Sequence, residues 1–200
     1  MERAYFFGYG SLVNRATHSF TDAHKARASG WRRAWRSTAL RPVSFLTAIP
    51  DRECEIDGLI AHVPNDDWAA LDAREHAYAR VGAAHQISHP LGTKAASIAI
   101  YAIADGHHFD PSLENPILLS YLDVVIQGYL TEFGEEGAAR FFDTTSGWNA
   151  PLLNDRAAPL YPRPPPLTSD ATPSIEQAPA RPARASPHTL GVPTRPPWSL

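Results

Sequence analysis

Phe6-Phe7-Gly8-Tyr9-Gly10-Ser11-Leu12 is the stretch that decides the fold, because an apolar strand at residues 4–7 runs there into a loop with two glycines. Glycine lets a loop turn tightly and present several backbone N–H groups to one anionic group. The strand stands at the start of the chain. The sequence therefore predicts that the first strand of the fold ends at a binding site.

A carboxylate about sixty residues later is the second candidate functional group. It lies in Leu71-Asp72-Ala73-Arg74-Glu75-His76-Ala77-Tyr78, where Glu75 is expected at the C-terminal end of a helix. A helix dipole favours cations at that end. Glu75 is therefore either a solvated partner of Arg74 or Arg80, or a partly buried general base. An anion-binding loop and a positioned carboxylate together suffice for acid–base chemistry on an amino-acid-like ligand.

Composition narrows the classes of protein to consider. The chain has 200 residues, 44% of them hydrophobic, which suits one domain with a sizeable core, or a domain and a tail. A net charge of −3 gives no reason to expect a nucleic-acid partner. Cys54 is the single cysteine, and no apolar run approaches the roughly 20 residues of a membrane span. We therefore expect a cytoplasmic protein without a membrane partner.

The composition changes near Arg163, which predicts a domain boundary. Residues 163–200 hold ten of the 19 prolines and carry four arginines against two acids. Proline-rich sequence with scattered apolar residues buries too little surface to offset its chain entropy. The prediction is a folded domain over residues 1–162 and a disordered or extended tail over residues 163–200.

Hydrophobic patterns predict an α+β fold. Short apolar runs predict strands at residues 4–7, 27–37, 45–49, 55–63, 81–89 and 96–104. Capping residues and helical spacing predict helices that end near residue 75 and that cover residues 117–133 and 135–142. Strands that precede the main helices argue against regular βαβ alternation. They favour a mixed or antiparallel sheet, open or closed, with helices packed outside.

Three other kinds of site are disfavoured. A dinucleotide fingerprint needs a third glycine where Val13 stands, and no long apolar-periodic helix follows. Adjacent histidines at His107 and His108 lack regular metal-ligand spacing. Cys54 lies among acids, which disfavour a reactive thiolate. The sequence thus predicts neither a bound metal nor an organic cofactor.

The two motifs together resemble the gamma-glutamylcyclotransferase superfamily, which includes the ChaC branch and the plant AIG2-like proteins. The resemblance rests on residues 7–12 and on Leu71-Asp72-x-Arg74-Glu75-x-x-Tyr78. It extends through Gly58-Leu59-Ile60-Ala61 and a later helix from Ser120 to Tyr129, and so covers most of residues 4–162. It implies a small mixed or antiparallel β-barrel with flanking helices.

The resemblance also implies an activity, in which the α-amino group of a gamma-glutamyl compound attacks its own γ-carbonyl and releases 5-oxoproline. Glu75 would be the general acid and base. The amides of Gly10, Ser11 and Leu12 would hold the substrate carboxylate or an oxyanion, and Tyr9 and Tyr78 would orient the substrate or Glu75.

Several alternatives stay open on the sequence alone. Glutathione, gamma-glutamyl amino acids and gamma-glutamylamines are all possible substrates, and the oligomeric state is unknown. A second hypothesis is a catalytically weak relative that binds a small carboxylated ligand. A dinucleotide-binding oxidoreductase is a third, and Val13 disfavours it.

Overall fold

The computed structural model describes residues 3–162. In this part of the chain the elements are β1 (Arg3–Gly8), β2 (His24–Ser37), β3 (Ser44–His62), α1 (Trp68–Arg74), β4 (Ala79–Gly82), β5 (Ile87–Ser88), β6 (Ala95–Ala102), β7 (Ile117–Leu118), α2 (Leu119–Asp143), β8 (Thr145–Ser146) and β9 (Leu152–Leu153). The segment for which the sequence predicts a tail, residues 163–200, lies outside the described residues.

Strands β7 and β9 pair in a separate two-stranded parallel sheet, and the other seven strands form a mixed sheet that curls into a half-barrel, with the two helices against it. The strand order is β4-β6-β1-β3-β2-β5, and β8 also pairs with β2. The β1–β6 and β2–β8 pairs are parallel, and the other pairs of this sheet are antiparallel. The α+β prediction of a small mixed barrel-like sheet with flanking helices is confirmed.

Strand β1 lies near the middle of the sheet and is buried on both faces. Side chains of a strand alternate between faces, and Tyr5 and Phe7 pack into the cluster that includes α2 residues such as Tyr129. Phe6 points the other way, into a second cluster with Leu71 of α1. The two helices therefore cover opposite sides of β1, and this places the loop after β1 between them.

Strand β3 is longer than the sequence indicates. The sequence predicts separate strands at residues 45–49 and 55–63, because these are two short apolar runs with polar residues between them. The structure forms one strand, Ser44–His62, whose residues 44–50 and 55–60 pair with β2. Residues 51–54 have no register partner on β2 and lie at the irregularity between Ser29 and Trp31. Pairing of both flanking segments with the same strand thus keeps β3 continuous across these residues.

The two predicted C-terminal helices are joined in α2. Gly134 has φ of 69° and ψ of −171°, so the helix is interrupted where the sequence predicts a break. The N-terminal segment of α2 packs against the loop after β1, and the Asn14 side chain donates to the carbonyl of Val124 at 2.9 Å. None of the helices in residues 3–162 is long and apolar enough to cross a membrane.

A chain that ends after Arg163 is expected to fold, with a melting temperature within about 4 °C of the full chain, because both core clusters form within residues 3–162. Thermal melting of the two chains measures this difference. Limited digestion of the full chain by trypsin should cut early after Arg184, the one arginine of residues 163–200 that no proline follows. Protection of Arg184 for as long as the folded core resists cleavage would contradict the predicted boundary.

Candidate active site

The loop after β1 has several backbone N–H groups that form no backbone hydrogen bond in the turn that follows, and we call residues 8–12 the glycine loop. A 3-10 turn, Ser11–Val13, follows β1. The amides of Val13 and Asn14 donate to the carbonyls of Gly10 and Ser11, each at 3.0 Å. The amides of Gly10, Ser11 and Leu12 come before these bonds and have no partner within the turn, as is usual at the start of a helical turn. They are suited to binding an anion.

Close packing explains why glycine stands at two positions of this loop. A Cβ atom at Gly8 would lie 2.6 Å from the Cβ of Leu12, and one at Gly10 would lie 2.7 Å from the hydroxyl oxygen of Tyr121. Both distances are far below a normal carbon contact. The loop therefore folds back tightly at Gly8 and lies directly beneath a tyrosine hydroxyl at Gly10.

Helix α1 ends directly before Glu75 and places this residue across from the glycine loop. The Asp67 side chain caps the helix by accepting from the amide of Ala70 at 3.3 Å, and buried Leu71 anchors it to the core. The amide of Glu75 donates to the carbonyl of Leu71 at 2.9 Å and ends the helix. Capping and anchoring fix the helix at both ends and so determine where the Glu75 side chain emerges.

The Glu75 carboxylate forms an ion pair with Arg74, which is one of the partners that the sequence analysis considers for it. The Nε of Arg74 lies 3.0 Å from Oε1, and the Glu75 side chain is 17% exposed. The other predicted partner, Arg80, instead pairs with Asp72 at 3.3 Å. Glu75 is thus both ion-paired and largely sheltered from water, and its second carboxylate oxygen has no hydrogen bond within residues 3–162.

A pocket of about 370 Å³, including its open mouth, lies between the glycine loop and Glu75. We call it the inner pocket, and it is lined by Phe7, Gly8, Tyr9, Gly10, Ser11, Leu12, Leu46, Glu75, Tyr78, Tyr101 and Tyr121. All six residues that the sequence predicts for the site line this pocket. Residues from β1, β3, β6 and α2, and Glu75 directly after α1, therefore meet at this pocket.

The hydroxyls of the two predicted tyrosines are bound to backbone groups. The Tyr9 hydroxyl donates to the carbonyl of Tyr101 at 2.6 Å and accepts from the amide of Ala48 at 3.0 Å. The Tyr78 hydroxyl donates to the carbonyl of Leu46 at 3.0 Å. Burial raises the pKa of both hydroxyls above the ordinary value, so both stay neutral. Their hydrogen bonds fix the walls of the pocket.

Tyr101 and Tyr121 line the pocket although the sequence does not single them out as site residues. Burial raises the pKa of the Tyr121 hydroxyl well above its ordinary value, and the backbone N–H of Ser11 acts in the opposite direction. That hydroxyl donates no hydrogen bond to a residue in the described range 3–162. A buried hydroxyl beside the loop amides, with its proton unused, is suited to a ligand contact.

A second pocket of about 960 Å³, again with open space, continues outward from the first. We call it the outer pocket, and it shares Ser11, Glu75, Tyr78 and Tyr121 with the inner one. Its wall adds three basic side chains, those of Arg41, Arg74 and His76. A ligand that fills the inner pocket can therefore extend past Glu75 into a larger, basic space.

Other candidate chemistry lies away from these pockets. Cys54 is buried, and burial raises the pKa of its thiol, which disfavours a reactive thiolate. No cluster of three His, Cys, Asp or Glu side chains that could hold a metal occurs among residues 3–162. The glycine loop leads into short 3-10 turns and not into the long helix of a dinucleotide-binding unit.

Solved structures with the same fold are recognisable at low sequence identity. YkqA from Bacillus subtilis matches with a TM-score of 0.54 and 16% identity over 76% of this chain, which spans only 57% of YkqA. An uncharacterized protein from Homo sapiens has a TM-score of 0.55 and 12% identity, covering 78% of this chain and 96% of its own. A structure titled gamma-glutamyl cyclotransferase has a TM-score of 0.52 and 12% identity, covering 77% and 95%. At such identities the likeness shows a shared fold.

No curated protein matches the chain by sequence. The family model for ChaC-like proteins does match, over residues 4–114, which is more than half of the chain. These residues include β1, the glycine loop, α1 and Glu75. The chain therefore belongs to the ChaC-like protein family.

Proposed function

We propose that this chain is a gamma-glutamylcyclotransferase-type enzyme that releases 5-oxoproline from a gamma-glutamyl compound. One observation carries the proposal: a sheltered carboxylate, Glu75, and the backbone amides of the glycine loop line the same pocket. An intramolecular acyl transfer needs both a group that moves protons and a group that holds charge. Membership of the ChaC-like family supports this assignment.

The reaction is a cyclisation in which Glu75 carries two protons, one after the other, from the attacking nitrogen to the leaving nitrogen. The carboxylate accepts a proton from the α-ammonium group of the substrate, and the freed amine attacks the γ-carbonyl carbon. A new C–N bond closes the five-membered ring. The protonated Glu75 then gives its proton to the leaving nitrogen as the original amide bond breaks. The ring nitrogen still carries one extra proton, which passes through Glu75 to the released amine, so that this amine leaves as an ammonium group. The products are 5-oxoproline and an amine, amino acid or peptide, and Glu75 ends in its starting state.

The glycine loop holds the substrate in the bent conformation that this attack requires. The amides of Gly10, Ser11 and Leu12 bind the α-carboxylate, or the oxyanion of the tetrahedral intermediate. Holding the α-amine close to the γ-carbonyl carbon restricts the flexible substrate to conformations from which the attack can occur. The Tyr121 hydroxyl, close to the Ser11 amide, supplies a further donor. Tyr9 and Tyr78 act through the backbone groups that they fix.

The outer pocket favours a leaving group that carries a carboxylate. Arg41, Arg74 and His76 line it, and basic side chains attract a carboxylate but repel a second ammonium group. Among the three open substrate classes, gamma-glutamyl amino acids and peptides such as glutathione fit this wall better than gamma-glutamylamines.

The Arg74–Glu75 ion pair also supports a second candidate, a catalytically weak relative that binds a small carboxylated ligand. The Arg74 guanidinium lies 3.0 Å from Oε1 of Glu75 and so engages one of the two oxygens that a general base would use. In this case the pockets would bind the ligand without turnover.

A panel assay separates these candidates. The full chain is incubated with glutathione, gamma-glutamyl amino acids and gamma-glutamylamines, and 5-oxoproline is measured over time. We expect release of 5-oxoproline, with kcat/KM about ten-fold higher for substrates whose leaving group bears a carboxylate. Binding of gamma-glutamyl compounds with no release of 5-oxoproline from any of them would overturn the proposed enzyme activity and favour the hypothesis of a binding protein.

A further inference from the structure

Arg33 is a fully buried arginine behind the glycine loop, and it lies outside both pockets. Its side chain on β2 has 0% exposure. The Nε donates to the carbonyl of Tyr9 at 3.1 Å, and Nη1 donates to the Thr144 hydroxyl at 2.7 Å. Nη2 donates to the carbonyl of Asp57 and to the hydroxyl of Tyr129. Every one of these acceptors is neutral.

No carboxylate among residues 3–162 accepts a hydrogen bond from this guanidinium. The nearby Asp57 carboxylate is held by two other arginines, Arg27 at 3.0 Å and Arg140 at 2.7 Å. The faces of the guanidinium lie against the rings of Tyr129 and Phe141, at 4.9 Å and 5.1 Å. Burying a cation without a paired anion costs free energy of folding. We therefore expect the charge to stabilise a negative group that is not among its hydrogen-bond partners.

The carbonyl of Tyr9 connects Arg33 to the loop. It accepts from Arg33 and also from the Tyr129 hydroxyl at 3.0 Å. The Tyr9–Gly10 peptide is trans, so its N–H, which belongs to Gly10, points away from the anchored carbonyl. Because Gly10 lines the inner pocket, a carbonyl fixed toward Arg33 directs that N–H toward the ligand side.

We propose that Arg33 is a positioning residue that fixes and polarises the Tyr9–Gly10 peptide, so that the Gly10 N–H binds the negatively charged carboxylate of the ligand. A peptide whose carbonyl accepts from a cation becomes a stronger donor at its N–H. The buried charge also adds a positive potential, which the low local dielectric screens weakly. The inference rests on the proposed function, since it assumes that the loop holds a carboxylate.

The test compares two ligands that differ in charge: 5-oxoproline, which is an anion, and its neutral amide, 5-oxoprolinamide. Their dissociation constants are measured by calorimetry with the full chain and with three variants. Arg33→Met removes the charge and the donors, whereas Arg33→Gln removes the charge and keeps a side-chain N–H. Thr144→Val is the matched control, because it removes a hydroxyl that accepts from Arg33, leaves the charge in place and does not touch the carbonyl of Tyr9.

We expect the wild type to prefer the anion, and both Arg33 variants to lose about ten-fold of that preference. Thr144→Val should lower the melting temperature but keep the preference. An equal loss of affinity for both ligands, or an unchanged preference in Arg33→Gln, would show that Arg33 is only structural and would overturn the inference. Equal binding of both ligands by the wild type would also overturn the inference. Absence of turnover in the panel assay overturns the proposed function and leaves these binding ratios unaffected.

Discussion

Replacing Glu75 with glutamine is expected to lower kcat for the best gamma-glutamyl substrate by roughly 10²–10⁴-fold. Glutamine keeps the size and polarity of the side chain but cannot accept a proton from the α-ammonium group. The side chain lies at the pocket surface with 17% exposure, and its partner Arg74 can still donate to the amide oxygen. The free energy of unfolding should therefore change by less than about 1 kcal/mol. Turnover kinetics and thermal melting of both proteins measure the two quantities.

Glu132 offers a matched control for this substitution. It pairs with Arg15 at 2.6 Å, its side chain is 11% exposed, and it lies on α2 away from both pockets. Glu132→Gln also removes a sheltered, arginine-paired carboxylate, so it should keep kcat near that of the wild type. Near-normal turnover in Glu75→Gln would reject Glu75 as the acid and base. A similar loss in both variants would mean that the effect arises from stability.

The sequence predicted the residues that carry their own local signal. Gly10 and Glu75 lie in short motifs whose residue types indicate a chemical role before the fold is known, and in the structure both line one pocket. Tyr101 and Tyr121 carry no such signal, because a tyrosine in a strand or on an apolar helix face indicates core packing. The hydrogen bond between Tyr9 and Tyr101 joins residues 92 positions apart. Such contacts follow from sheet order, which hydrophobic patterns do not determine.

The break in the long helix could be predicted from the sequence, whereas the bounds of two strands could not. The break at Gly134 is local, and the residue alone indicates it. The continuity of β3 across Pro50 depends on the neighbouring strand β2, so a reading of residues 44–62 in isolation divides it. The region predicted as one strand at 81–89 contains the last two residues of β4, a 3-10 turn and β5, because its ends pair with different strands, β6 and β2. For both strand regions tertiary pairing decided the outcome.

Replacing Gly10 with valine is expected to weaken binding of gamma-glutamyl ligands at least about 30-fold. The new Cβ would lie 2.7 Å from the Tyr121 hydroxyl and 3.4 Å from a Leu46 methyl carbon. Its methyl groups would occupy the space in which a carboxylate reaches the loop amides. Calorimetry with a non-cleavable gamma-glutamyl analogue measures the loss. Gly82→Val is the control, since a Cβ at Gly82 meets nothing within 4 Å, and its affinity should stay within about two-fold of the wild type.

The same experiment tests what the loop recognises. A 4-aminobutyryl analogue lacks the α-carboxylate but is otherwise matched to the gamma-glutamyl one, so it should bind the wild type poorly, because the loop amides lose their anionic partner. In Gly10→Val the two analogues should bind with nearly equal, low affinity, since the valine removes the interaction that distinguishes them. Equal affinity in the wild type would contradict the loop as an anion site, whatever the effect of the valine. Steric blocking alone would weaken both analogues by the same factor, so the change in their ratio shows whether Gly10 admits a carboxylate or merely keeps the pocket open.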